Sequence, residues 1–201
     1  MDKRKEEIIE VAIRRFSHYG FSKTTMNEVA DDLGITKANL YYYYPDKSAL
    51  VKDIICYISS VLYEKEEQIL ENSSGDFLGT LFALLDLRAA HMRKYYMLYI
   101  NENLDWIKGV ELGEFINQIK QKDLELLRRL IDNTVKSGKL ILNNLDEAVE
   151  TYSDIIKGLG FYHTAQDVIT GIPNPDNVDK ILESQKRATK LIFQEKIVSC
   201  I

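Results

Sequence analysis

The sequence predicts an all-α protein, with a small N-terminal three-helix head ahead of a larger helical domain. Three observations lead there. The 201 residues hold only ten glycines and three prolines, too little punctuation for many short strands. Apolar residues recur at helical spacing through most of the chain. Residues that cap helices (Thr25, Thr36, Asp46, Asn144) stand just ahead of several of these stretches.

The first helix is predicted over residues 4–19, where Ile9, Ala12, Ile13 and Phe16 make one apolar stripe and Gly20 supplies the stop. Thr25-Met-Asn-Glu28 is a capping box, in which the threonine hydroxyl and the glutamate satisfy each other's orphan amides. Val29, Ala30 and Leu33 give the short helix behind it an inner face, Gly34 makes the turn and Ile35 plugs it. Thr36 caps a third helix. Helix, glycine turn, helix, with another helix in front, is a helix-turn-helix plan. Beyond Pro45, Asp46 caps a long helix through about Glu71, which Asn72-Ser-Ser-Gly75 breaks. Further helices are expected over 76–93, 95–107, 111–137, 144–169 and 175–197, with Pro175 at the first helical position of the last. The division expected is 1–47 for the head and 48–201 for the rest, joined through a shared helix.

The third helix carries four tyrosines in a row, which cannot share a face because successive residues turn by about 100°. Leu40 and Tyr44 are four apart and look inward, onto Phe16, Val29 and Leu33. Lys37 with Tyr41, and Ala38 with Tyr42, then form two outward stripes, flanked by Asn39 and Tyr43. A lysine suits guanine O6 and N7, an amide suits adenine, and a phenol ring packs on a thymine methyl. Tyr44-Pro45 ends the helix. Asp46 starts the next and places Lys47 in its first turn, where a cation and free amides suit a phosphate. Taken singly, each tyrosine reads as core and Lys47 as a solvated charge; the set reads as a DNA-reading face.

These residues resemble the TetR/AcrR transcriptional regulators. The resemblance covers about residues 5–55: the first helix ending Phe16 to Gly20-Phe21, then Thr24-Thr25, Val29-Ala30, Leu33-Gly34-Ile35, Leu40-Tyr41, Tyr43 and Lys47. The third helix is especially similar to that of the family's multidrug-sensing repressors. The resemblance implies an all-α homodimer that presents two heads to a palindromic DNA operator, usually as a repressor, and is released by a small-molecule effector. It implies base-facing Lys37, Ala38, Asn39, Tyr41 and Tyr42, with Thr25, Thr36, Tyr43 and Lys47 on phosphates. Two departures stand out. Position 27 is Asn where relatives often carry arginine, and Asp31-Asp32 add negative charge to the second helix. Modest non-specific affinity and a steep loss with salt are expected.

The family plan also implies a dimer interface on the last two helices, through Tyr152, Ile155, Leu159, Ile181, Gln185, Ala188 and Ile192; the same residues would otherwise complete the subunit core. For the effector pocket, His91, Tyr95 and Tyr99 share a face, with Glu102 and Trp106 following. Phe82, Phe115, Tyr162 and His163 complete the candidates, and an aromatic stripe of this kind serves a core equally well. Glu102 would favour a cationic effector.

Net charge is −5 (26 Lys+Arg against 31 Asp+Glu), so there is no global basic signature, and residues 1–47 hold eight of each sign. DNA contact must come from local arrangement. Cys56 and Cys200 have no metal-ligand spacing, and His18, His91 and His163 form no ligand pair. No phosphate loop or nucleophile elbow appears, so neither enzyme nor cofactor is expected. The charged opening residues lack the apolar core of a signal peptide, and no uncharged run suits a membrane span, which predicts a cytoplasmic protein. Two other readings keep the fold: a head that binds another protein, or a carrier or enzyme built on the C-terminal bundle.

Overall fold

The computed structural model describes residues 2–21, 23–73, 75–99 and 110–198; of residues 97, 99, 110–113, 115 and 116 it describes the backbone alone. Every regular element among the described residues is helical, apart from one isolated bridge.

The head opens with α1 (Lys3–Tyr19), capped by the Asp2 carboxylate on the Arg4 amide at 3.0 Å. Its stripe of Ile8, Ile9, Ala12 and Phe16 is buried. α2 (Met26–Asp32) begins with the expected capping box: Thr25 N donates to Glu28 Oε2 at 2.7 Å and Glu28 N to Thr25 Oγ1 at 3.3 Å. Gly34 then turns the chain at φ +64°, a left-handed value that costs any residue with a Cβ. Its amide reaches Asp31 O and that of Ile35 reaches Ala30 O, both at 3.0 Å. α3 (Lys37–Tyr43) follows, with Thr36 Oγ1 accepting from Asn39 N at 3.2 Å. α4 (Lys47–Glu71) is capped by Asp46 on Ala49 N at 2.8 Å.

One apolar cluster fills the head, and it does not stop at residue 47. Leu50, Val51 and Ile54 of α4 pack with Phe16, Val29, Leu40 and Tyr44, so the first two turns of α4 are part of the head's core. A second cluster fills the larger domain. There α5 (Phe77–Lys94) and α7 (Val110–Lys136) pack with α8 (Leu145–Thr170) and α9 (Asn177–Phe193) around Leu85, Ile131, Val149 and Phe193. The short α6 (Tyr96–Tyr99) runs between the two, touching α1 and α5, with Leu98 against the head's core.

Apart from the last helix, which stops at Phe193 short of the expected 197, two boundaries differ from the sequence reading. Of the helix expected over 95–107, α6 occupies 96–99 and the remainder lies outside the described residues. The last helix begins at Asn177, so Pro175 stands ahead of its N-cap, Asp176. The cause is Asp167 of α8. Its buried carboxylate accepts from Asn174 N at 2.8 Å, from Asn177 Nδ2 at 3.1 Å and from Tyr96 Oη at 2.5 Å. Those bonds hold the segment in tight i→i+3 turns, with Asn177 N on Asn174 O and Val178 N on Pro175 O at 3.1 Å each. After α9 a 3₁₀ turn (Gln194–Lys196) leads back to the α7–α8 loop, where Ile141 N meets Lys196 O at 3.0 Å.

Candidate nucleic-acid interface and effector chamber

On α3 the backbone turn divides the side chains as the spacing requires. Leu40 is fully buried and Tyr44 is 2% exposed, whereas Lys37, Ala38 and Asn39 are exposed, Tyr41 is 39% and Tyr42 84% exposed. Tyr43 is half-buried and sets its ring at right angles to that of Tyr42 at 5.3 Å. The Lys37 ammonium lies 5.5 Å from the centre of the Tyr41 ring, a cation–π pair that fans both groups off the same side of the helix.

From behind, α3 is bolted down by polar as well as apolar contacts. Tyr44 Oη donates to Asp53 Oδ2 of α4 at 3.1 Å, and Lys5 Nζ of α1 stands 5.1 Å over the Tyr44 ring and 3.8 Å from the same carboxylate. Burial, with the neighbouring Asp53 charge, pushes the Tyr44 hydroxyl far above the usual phenol range, so it stays a donor. The exposed face is thereby fixed relative to α1 and α4.

The expected phosphate groups are less free. Thr25 is exposed, but Glu28 takes both its amide and, at 2.9 Å, its hydroxyl. Thr36 is exposed and serves as the cap of α3. Lys47 is half-buried: its ammonium donates to Phe21 O and lies 5.9 Å over the Phe16 ring, and burial holds it below its ordinary range. Reaching a phosphate requires Lys47 to leave that carbonyl. The charge on α2 is also partly spent, since Arg15 Nη1 holds Asp32 at 2.7 Å and Nη2 holds Glu28 at 3.0 Å. Asp31 remains exposed.

The larger domain contains a chamber of about 1230 Å³ between α4, α5, α7, α8 and α9, which reaches Glu6 of α1. Its volume exceeds the ~300–1,000 Å³ of most small-molecule sites. Leu62, Met92, Ile119, Ile156, Val178 and Ile181 give it apolar walls. Four charged groups stand at one end. Buried Glu66 accepts from Arg88 Nε at 2.5 Å, Arg88 Nη2 is 3.7 Å from Asp123, and Asp123 is 3.5 Å from Lys157. Burial raises Glu66 above the usual carboxylate range, although the Arg88 charge opposes the shift.

The comparisons with known proteins agree with this architecture. Residues 8–54 match the family model described as bacterial regulatory proteins, tetR family. The "Probable acrEF/envCD operon repressor" of Escherichia coli K12 is 36% identical, over 98% of this chain and 94% of its own. The chain belongs to the TetR/AcrR family. A transcriptional regulator from Cytophaga hutchinsonii superposes with a TM-score of 0.86 at 26% identity, covering 98% of this chain and all of that one. A regulator from Saccharomonospora viridis, solved in complex with choline, shares the fold at 18% identity and a TM-score of 0.75, with both chains fully covered.

Within this TetR-family framework the pocket candidates scatter. His91 lines the chamber, with Nε2 at 3.0 Å from Ile58 O, and burial lowers its pKa from the ordinary value. Tyr95 is buried edge-on against His91 at 4.8 Å, a core position beside the chamber. Phe82 does not line it; that ring packs on the second core cluster beneath Lys186 and Lys190. Tyr162 is 75% exposed on the outer face of α8, which corrects its assignment to a pocket. His163 bonds Ser184 Oγ of α9 at 3.0 Å instead of a cavity. The side chains of Tyr99 and Phe115, together with Glu102 and Trp106, lie outside the described residues. Sequence reasoning missed Glu66, Arg88 and Asp123. Glu66 sits in a charged run, Glu64-Lys-Glu-Glu67, that reads as solvated, and only its i, i+4, i+8 register with Ile58 and Leu62 marks it as inward.

The dimer candidates divide similarly. Tyr152 and Ile181 are buried in the subunit's own core, Tyr152 Oη lying 2.8 Å from Thr189 Oγ1, and Gln185 Nε2 donates to Ile156 O at 2.9 Å. These three complete the α8–α9 packing, because they lie on the faces the two helices turn to each other and to the core. Ile155 is 37% exposed, while Leu159, Ala188 and Ile192 are half-buried. Exposed Tyr162 and Ile169 follow Ile155 at seven-residue steps, and Leu191 of α9 is 87% exposed.

Proposed function

We propose that this TetR-family regulator is a repressor that binds a palindromic operator as a homodimer and releases it when a small molecule occupies the chamber. The observation that carries the reading is α3. Lysine, amide and phenol groups project from one face of a short helix whose back is fixed by Leu40 and by the Tyr44–Asp53 bond. In this reading Lys37, Ala38, Asn39, Tyr41 and Tyr42 meet base edges. Thr25, Thr36, Tyr43 and a rotated Lys47 hold phosphates. The exposed apolar surface of Ile155, Tyr162, Ile169 and Leu191 supports a partner subunit on α8 and α9. The chamber supports an effector site, and a fold neighbour solved in complex with choline supports small-molecule binding by a protein of this fold. The head proper extends to about Ile54, because its core includes the first turns of α4.

Selection of duplexes from a random pool, followed by sedimentation of the complex, tests this. The expected result is an inverted repeat with half-site centres about 34–36 Å, or a multiple, apart and two protomers on each duplex. A pool with no enriched sequence would contradict it.

A further inference from the structure

The chamber's polar end shows which chemistry an effector needs. This step rests on the chamber being the effector site and adds the ligand's class. Glu66 is only 2% exposed and gives its Oε1 to Arg88. Arg88 is different. Its side chain is 30% exposed, its Nε is used by Glu66, and Nη2 lies 3.7 Å from Asp123, beyond hydrogen-bond reach. Neither terminal nitrogen makes a hydrogen bond among the described residues. A planar fork of donors therefore faces a cavity with mostly apolar walls, and such a fork matches a carboxylate in two-point geometry.

The neighbouring charges leave that fork its own role. Lys122, Lys157 and Glu64 border the chamber from exposed positions, where water screens them. Arg88 is the half-buried cation of the set, beside the inner carboxylates Glu66 and Asp123. A ligand cation at Asp123 would stand between Arg88 and Lys157, which already flank that carboxylate.

We propose that the effector is an amphipathic organic acid, whose carboxylate is gripped by the Arg88 fork and whose hydrocarbon body lies along the apolar chamber toward Val178 and Ile181.

The test uses the full chain with decanoate, decanol and decyltrimethylammonium as probes, each below its micelle concentration, in isothermal titration. Decanoate is expected to bind at least tenfold tighter than either control. Removing Arg88 alone would strand Glu66, so the paired variant Glu66→Gln/Arg88→Gln keeps a neutral hydrogen-bonded pair. It should weaken decanoate at least tenfold and leave decanol within threefold. Arg88→Lys, which keeps the charge and loses the fork, should also weaken decanoate, and it carries the test if the paired variant does not fold. The proposal is overturned if the alcohol or the ammonium binds as well as the acid, if no probe binds, or if the variants leave decanoate affinity unchanged. Release of a selected duplex is read in the same samples. Decanoate held through Arg88 with the duplex still bound upholds the ligand chemistry and contradicts effector release. Release by the ammonium alone upholds effector release and overturns the chemistry.

Discussion

Tyr42 and Tyr44 stand two residues apart and should respond oppositely to the same substitution. Tyr44 is 2% exposed and donates to Asp53 at 3.1 Å; Tyr42 is 84% exposed. Deleting a buried aromatic ring costs about 3–5 kcal/mol in lost burial and cavity formation. Tyr44→Ala adds the loss of a donor to Asp53, which keeps Lys5 at 3.8 Å and so is not stranded. For a chain of this length each kcal/mol moves the melting temperature by ~2–4 °C, giving a fall of roughly 6–20 °C. Tyr42→Ala removes a ring that water already surrounds, so its stability should stay within about 0.5 kcal/mol. Its cost appears on DNA instead, where a lost base contact is worth ~1–3 kcal/mol, or roughly 5- to 150-fold in affinity. Scanning calorimetry at fixed protein concentration, beside titration of a selected duplex, reads both quantities. If Tyr42→Ala melts early, or Tyr44→Ala melts like the parent, the assignment of faces on α3 is refuted.

Lys47→Ala should lower affinity for every duplex alike and reduce the salt slope of log K by about 1. An unchanged slope with a lower melting temperature would mean that Lys47 stays on Phe21 O when DNA is bound. Asp167→Asn keeps the shape but loses the charge that Tyr96, Asn174 and Asn177 share, so calorimetry should show a loss of about 2–4 kcal/mol. A near-neutral result would show that the junction of α6, α8 and α9 is held by apolar packing. Burial keeps His91 neutral in the folded protein, so its contribution is full above the ordinary histidine value of about 6.5 and declines as pH falls below it. Denaturant titrations from pH 7.5 to 5.5 should show that decline in the parent and a flatter profile in His91→Gln; parallel profiles would contradict it.

The head was legible because its determinants are local. A capping box, a glycine with positive φ and an i, i+4 pair of inward residues each act within a few positions, and Leu40 and Tyr44 turn inward as their spacing requires. The start of α9 was not, since Asp167 sets it from ten residues away through a buried carboxylate that no periodicity marks. The chamber was hidden for a related reason. Glu66 is buried against a half-buried Arg88, and their meeting depends on how α4 packs against α5, not on either helix alone. Tyr162 shows the converse, an aromatic on an outer face where the pattern of rings suggested an inner one.

The central claim is that the outer face of α3 reads sequence. Its most direct measurement repeats the duplex selection with Lys37→Ala and with Tyr42→Ala and compares the enriched bases with those of the parent. Preference should relax at a different base position for each variant, while the spacing of the half-sites is kept. Identical enriched sequences from all three proteins would contradict the account.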